Sequence, residues 1–175
     1  AGNFVTLSDI IDAVGKDVIR FIMLTRRNDQ SLDFDFKKVT EKSKENPVFY
    51  VQYCYARINS LMNLTKRDFD EQIHFNIDKV DLNVYEKKIL RKIFDWPKIL
   101  NTASNKFEPH RIPYYLYDLA TLFHSYWSKG NEDKKYKFIS DNKIKNENTL
   151  LVIKLVSIVI ENGMKILGVS TPKKM

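Results

Sequence analysis

Tyr50, Tyr53, Arg57 and Ser60 recur at three- and four-residue spacing within NPVFYVQYCYARINSLMN, residues 46–63. On a helix that spacing places phenol, guanidinium and hydroxyl groups on one face, which suits stacking on planar rings and binding phosphate. The same spacing also fits tyrosines at a core boundary beside a solvated arginine, because amphipathic side chains serve in both places. Trp127, followed by Ser128 and Lys129, adds an indole next to a cation at the end of a later helix. The chain carries 9 Tyr, 2 Trp and 11 Phe, with several rings adjacent to Arg or Lys. Proteins that read unpaired RNA stack bases on aromatic faces and guanidinium planes and then hydrogen-bond the base edges. The alternative is a helical protein-interaction module whose exposed rings anchor an interface without any nucleic-acid role.

Other chemistry has fewer parts. The three histidines, His74, His110 and His124, lack acidic or cysteine neighbours at ligand spacing, so no metal site is expected. With only 5 glycines there is no glycine-rich phosphate loop. Asp33 and Asp35 flank Phe34 as a carboxylate pair, but without a base, nucleophile or metal partner they read as solvated charges. No catalytic residue is assigned, and the chain alone is expected to catalyse nothing. Cys54 is the single cysteine, which excludes a disulfide framework and points to a reducing, intracellular setting. Lys plus Arg number 29 against 22 Asp plus Glu, and the formal net charge of +7 favours polyanionic partners. The N-terminus lacks the pattern of a signal peptide, and the apolar run 150–160 is shorter than the ~20 residues that cross a bilayer.

The elements that must position these residues read as helices. Asn46 and Pro47 form a cap and a first turn, and Val51, Cys54, Tyr55, Ile58, Leu61 and Met62 give the following helix an apolar stripe. Before it, Ser8 caps a short helix that stops at Gly15, and a largely apolar second helix starts near Lys16. There Asp17 and Arg20, three apart, are expected to pair along the helix. LDFDF, residues 32–36, alternates as a short extended piece, and a lysine-rich helical turn, 36–44, leads to Asn46. Residues 64–81 read as a connector. Asp81 is expected to cap a helix with the basic run Lys87, Lys88, Arg91 and Lys92; another helix restarts at Asp95 and Pro97. A further helix from EPHR onwards is expected to stop at Gly130, before a polar surface loop, 131–148, holding one short helix around Tyr136–Ile139. From Thr149 to Gly168 a nearly all-apolar helix is expected at the centre. The fold class is therefore all-α, a bundle of about six or seven helices.

Five separated segments carry a family resemblance: AGNFVTLSDIIDAVGKDVIRF, LDFDF, NPVFYVQYCYARI, EPHRIPYYLYDLATLFHSYW and NGMKILGVSTPKKM. In this order they resemble the C-terminal part of bacterial-type arginyl-tRNA synthetases, over almost the whole chain. The resemblance implies that the chain starts just after the KMSKS-like signature loop of a class I catalytic domain. Residues 1–30 would be a remnant of stem-contact or junction helices, and 31–175 the all-helical DALR anticodon-binding domain. The four DALR letters fall on Asp17, Val18, Ile19 and Arg20, two identical and two apolar for apolar. Tyr53 and Arg57 match the Tyr and Arg of the family's YAHAR-like helix, with Cys54 and Tyr55 in place of the usual Ala and His. Trp127 matches an aromatic position similar to a base-stacking site. Met175 matches the family's terminal methionine, which implies a native chain end close to the anticodon. The implied RNA-binding set is Tyr53, Arg57, Tyr50, Trp127 and Met175, and the implied partner is the anticodon stem-loop of arginine tRNA. The whole ligase would charge that tRNA with arginine using ATP, whose site, like that for arginine, would lie in the catalytic domain. This chain would hold no cofactor of its own and act as a cytoplasmic monomer.

Overall fold

Thr6, rather than Ser8, caps the first helix. Its hydroxyl accepts from Asp9 N at 3.2 Å while the Asp9 carboxylate accepts from Thr6 N at 3.0 Å, and this reciprocal box opens α1, Leu7–Val14. Gly15, at φ +83°, lets the chain turn directly into α2, Lys16–Leu24. The computed structural model describes residues 6–27, 29–31, 46–66, 81–141, 143–144 and 147–175. The LDFDF segment with Asp33 and Asp35, the lysine-rich turn, His74 and residues 67–80 of the connector lie outside these.

Pro47–Leu64 forms α3, entered as expected through Asn46, whose side chain accepts from Val48 N at 3.3 Å. The next helix, α4, spans Val84–Phe94, and its cap is Asn83 instead of Asp81. Asn83 Oδ1 accepts from the backbone N of Tyr85 (2.9 Å) and Glu86 (3.1 Å), and Glu86 Oε2 accepts from Asn83 N at 2.9 Å. After Asp95 the chain restarts as α5, Trp96–Asn105, with proline in its first turn. Helix α6 spans Arg111–Glu132 and α7 spans Glu147–Leu167.

Two expectations between α6 and α7 are corrected. Gly130 does not stop α6; it is a point of close approach inside it, where an added Cβ would stand 2.8 Å from Tyr136 O. The connecting segment carries a 3-10 turn at Lys134–Tyr136 in place of a helix around 136–139. An antiparallel pair follows it, β1 Ile139–Ser140 with β2 Lys143–Ile144, with Ile139 opposite Ile144. Asp133 caps the turn by accepting from Lys135 N at 2.9 Å. Phe138, the next apolar residue, is then drawn into the core 4.3 Å from the Tyr126 ring. A helix there is displaced because ring burial outweighs weak local propensity.

Helices α3, α6 and α7 pack on one another around Val51, Ile58, Leu116, Phe123, Ile153 and Ile160, all fully buried. Each such side chain contributes about 1.5–3 kcal/mol by leaving water. Gly163 sets the distance between α6 and α7, because a Cβ there would meet Leu116 Cδ2 at 2.6 Å. The inner stripe of α3 behaves as its spacing predicts: Val51, Cys54, Tyr55, Ile58, Leu61 and Met62 are all buried, and Tyr55 OH donates to Glu161 of α7 at 3.0 Å. With seven α-helices and one two-residue β pair among the described residues, the all-α expectation holds.

Asp17 and Arg20 do not pair with each other as expected. Both reach across to the end of α7. Arg20 Nε donates to Leu167 O, an otherwise uncapped helix-terminal carbonyl, and the Asp17 carboxylate accepts from Ser170 N at 3.2 Å and from its hydroxyl. Gly168, at φ +68°, closes α7 with Val169 N donating to Met164 O at 2.9 Å, the hydrogen-bond pattern of a Schellman cap. An added Cβ on Gly168 would stand 2.6 Å from Arg20 Nε, so glycine is needed for conformation and for space. Through these bonds α2 fixes the course of the last residues, and Gln52 Nε2 adds a bond from α3 to Ser170 O at 3.0 Å.

Candidate nucleic-acid interface

The outer face of α3 meets the α6 face that carries Tyr117, His124 and Trp127. These three lie seven and then three residues apart, which is one helical face. The resulting row of rings is continuous. Tyr50 lies 5.0 Å from Tyr117 and 4.6 Å from His124, and His124 stacks at 5.7 Å on Tyr53. His124, largely buried, also sits with Nε2 3.3 Å from Tyr50 O.

Arg57 ends the row. Its guanidinium carbon stands 4.3 Å from the Tyr53 ring centroid and 4.8 Å from that of Trp127, and one of its terminal nitrogens donates to Tyr53 OH. A cation held against two rings gains about 0.5–1 kcal/mol from each at a partly exposed site, more where water is excluded. Trp127 is itself braced by Phe138, edge-on at 5.4 Å. The cluster borders a groove of about 530 Å³, whose other walls include Ser60, Leu64, Ile139, Lys174 and Met175. Lys174 and Met175 are exposed, and Tyr53, Arg57 and Trp127 are each half-buried.

Four residues singled out from the sequence, Tyr53, Arg57, Trp127 and Met175, therefore border one groove. Tyr50 does not; it stands behind them, in contact through His124. Burial pushes the Tyr50 phenol above its ordinary range, in keeping with a supporting place. Trp127 is not at a helix end, since α6 continues to Glu132, and it is presented from a rigid segment. Sequence reasoning passed over His124 and Tyr117, whose seven-residue spacing was the available signal. Ile139 gave none, because its place depends on the β pair. Cys54 lies directly beneath, fully buried, and burial holds its thiol well above the usual range, which keeps it unreactive. No group of three or more His, Cys, Asp or Glu able to hold a metal ion occurs among the described residues. Nor is any described helix long and apolar enough to cross a membrane.

Known proteins resemble this chain in sequence and fold. The curated relatives include the arginine–tRNA ligase of Pelagibacter ubique, 48% identical over 99% of this chain and 30% of its own length. That of Ruegeria pomeroyi is 43% identical over 100% of this chain and 31% of its own. The chain thus spans about a third of the length of the curated relatives it matches. Among solved structures, one from Campylobacter jejuni described as an arginyl tRNA synthetase superposes with a TM-score of 0.83 at 31% identity, over 100% of this chain and 37% of that one. The fold alone is shared with Thermus thermophilus arginyl-tRNA synthetase, at a TM-score of 0.70 and 20% identity, over 99% of this chain and 28% of the other. Residues 51–175, from the first buried turn of α3 to the wall of the groove, match the family described as DALR anticodon binding domain. With most of its length inside that match, the chain belongs to the DALR anticodon binding domain family.

Proposed function

We propose that the groove between α3 and α6 binds unpaired bases of a tRNA anticodon loop, and that the tRNA is that for arginine. The observation that carries this reading is the clamping of Arg57 between Tyr53 and Trp127 at the border of a groove of nucleoside size. A planar guanidinium fixed by two rings keeps its geometry for a base edge or a phosphate, at a low entropic cost on binding. The rings stack on Arg57 already, so Tyr53 and Trp127 act first as its holders and offer a base whatever part of their faces remains. Lys174 adds attraction for the backbone, and Met175 an apolar wall.

The charging of that tRNA with arginine and ATP belongs, in this reading, to the longer ligase of which the chain would be one part. Residues 1–30 then serve as the junction and 31–175 as the anticodon-binding unit. The boundary is one of role, because Val18 and Phe21 of α2 sit in the same core as α3 and α7. A cytoplasmic, monomeric protein completes the proposal.

The test is binding of this chain to arginine tRNA and to a non-cognate tRNA over a salt series. The cognate tRNA should bind more tightly at every salt concentration, and log K should fall with log salt by about 0.7 for each single-stranded phosphate neutralised. Equal, weak binding of both tRNAs would move discrimination outside this chain. A salt-independent complex with a protein and no retention of tRNA would favour the interaction-module alternative.

A further inference from the structure

Away from the groove, positive charge gathers on α4, where Lys87, Lys88 and Arg91 follow one another closely and are all exposed. Lys92, the next in the run, is spent inside the fold: its ammonium bonds Asp118 at 2.7 Å and lies 4.9 Å from the Tyr115 ring centroid. Among the described residues no carboxylate pairs with the other three. We propose that this ridge is a second RNA-binding surface, which takes the phosphate backbone of a base-paired RNA independently of the groove.

Ridge and groove lie on different flanks. Helices α3 and α4 each pack on both α6 and α7 and share no packed interface with each other among the described residues, so they sit on opposite sides of that pair. Nothing within α4 accounts for the ridge. Lys87 with Arg91 and Lys88 with Lys92 are like charges four residues apart, a spacing that destabilises a helix until an outside anion neutralises it. The layout suits a nucleic acid better than a protein: charge holds the centre, and the exposed apolar residues of α4, Val84 and Phe94, stand at its two ends, whereas a protein interface has an apolar centre inside a polar rim. It also suits backbone rather than bases, because the ring beside it is already engaged. Tyr85 stacks on Tyr126 at 5.5 Å, meets Tyr136 edge-on at 5.2 Å and has the Lys88 ammonium 6.0 Å from its centroid. Lys135, 5.7 Å from the Tyr136 ring centroid, extends the cationic surface beyond the helix. Base-paired RNA is recognised mainly through its shape, phosphates and 2′-hydroxyls, which is what cations on a rigid helix can reach.

The probe is a blunt RNA duplex of arbitrary sequence, without unpaired nucleotides, titrated against the full chain over a salt series. The parent should bind it at low salt, with log K falling against log salt by about 0.9 for each phosphate neutralised. The triple variant Lys87→Gln, Lys88→Gln, Arg91→Gln should weaken binding at least roughly tenfold and lower the slope by about two to three, without lowering the thermal melt. Arg91→Gln alone should lower the slope by about one. Arg57→Ala should bind the duplex like the parent, so that this surface and the groove can fail separately. No retention of the duplex by the parent at low salt, a parent-like slope in the triple variant, or an equal loss in Arg57→Ala overturns the proposal. Displacement of the duplex by polyglutamate at equal charge concentration overturns it as well, and assigns the ridge to acidic proteins.

Discussion

Two aromatic clusters to which helix α6 contributes neighbouring rings, Tyr126 and Trp127, make opposite use of similar groups. Tyr126 faces inward, donating to Glu86 Oε1 at 2.9 Å and accepting from Asn83 Nδ2 at 2.8 Å. The Glu86 carboxylate, 1% exposed, also accepts from the Thr149 hydroxyl at 2.7 Å and from Asn83 N at 2.9 Å. That cluster ties the start of α4 and the first turn of α7 to α6 and closes on itself. One residue further on, Trp127 faces the groove and shares Arg57 with Tyr53, in a cluster whose charged member is only half-buried. Residue type does not separate the two. What separates them is whether the charged group spends its hydrogen bonds inside the fold or keeps some for a ligand.

The sharpest way to break this contrast is Glu86→Ala. It removes the acceptor shared by Tyr126, Thr149 and Asn83 N at once, and the fold should lose about 3 kcal/mol by urea denaturation, since hydrogen bonds to a buried charge are the costly ones to remove. The protein that remains folded should bind RNA like the parent. A loss below about 1 kcal/mol would show that the cluster is not architectural.

A smaller effect comes from pH. Burial is the main reason that Tyr126 and Tyr115 ionise well above the ordinary tyrosine range, with nearby carboxylates adding to it. A tyrosine whose ionisation is raised in the folded state contributes stability that is complete below the unfolded value, about 10, and drains away as pH climbs towards the folded value. Stability should therefore fall above about pH 10, by at most ~1.4 kcal/mol per pH unit for each tyrosine. Tyr126→Phe should flatten that slope. Equal slopes in parent and Tyr126→Phe would contradict the burial argument.

Much of the frame was legible in the sequence. Asn46, Pro47 and the apolar period of α3 specify a helix end and an inner stripe by local rules, and all six predicted stripe residues are buried. Local rules also misled in a regular way. Asp17 and Arg20 look like an intrahelical pair because their spacing allows one, yet their partners lie about 150 residues away at the end of α7, which no short-range pattern encodes. Gly130 reads as a helix stop by propensity, but its lack of a side chain serves packing against the 3-10 turn. At the groove, the α3 face was visible as Tyr53 and Arg57. Its completion by Leu64, Ile139 and Lys174 required knowing how α3, β1 and the last residues come together.

Whether the clamped guanidinium of Arg57 holds the RNA is decided by binding of arginine tRNA to Arg57→Ala and Arg57→Lys, with folding checked by thermal melts. Loss of the guanidinium should cost stability no more than about 2 kcal/mol, because it leaves two half-exposed ring contacts. Affinity should drop at least roughly tenfold in the alanine variant. Lysine should restore little of it, since an ammonium keeps the charge without the plane that Tyr53 and Trp127 hold. Parent-like binding by both folded variants would show that the Arg57 guanidinium does not contact the RNA.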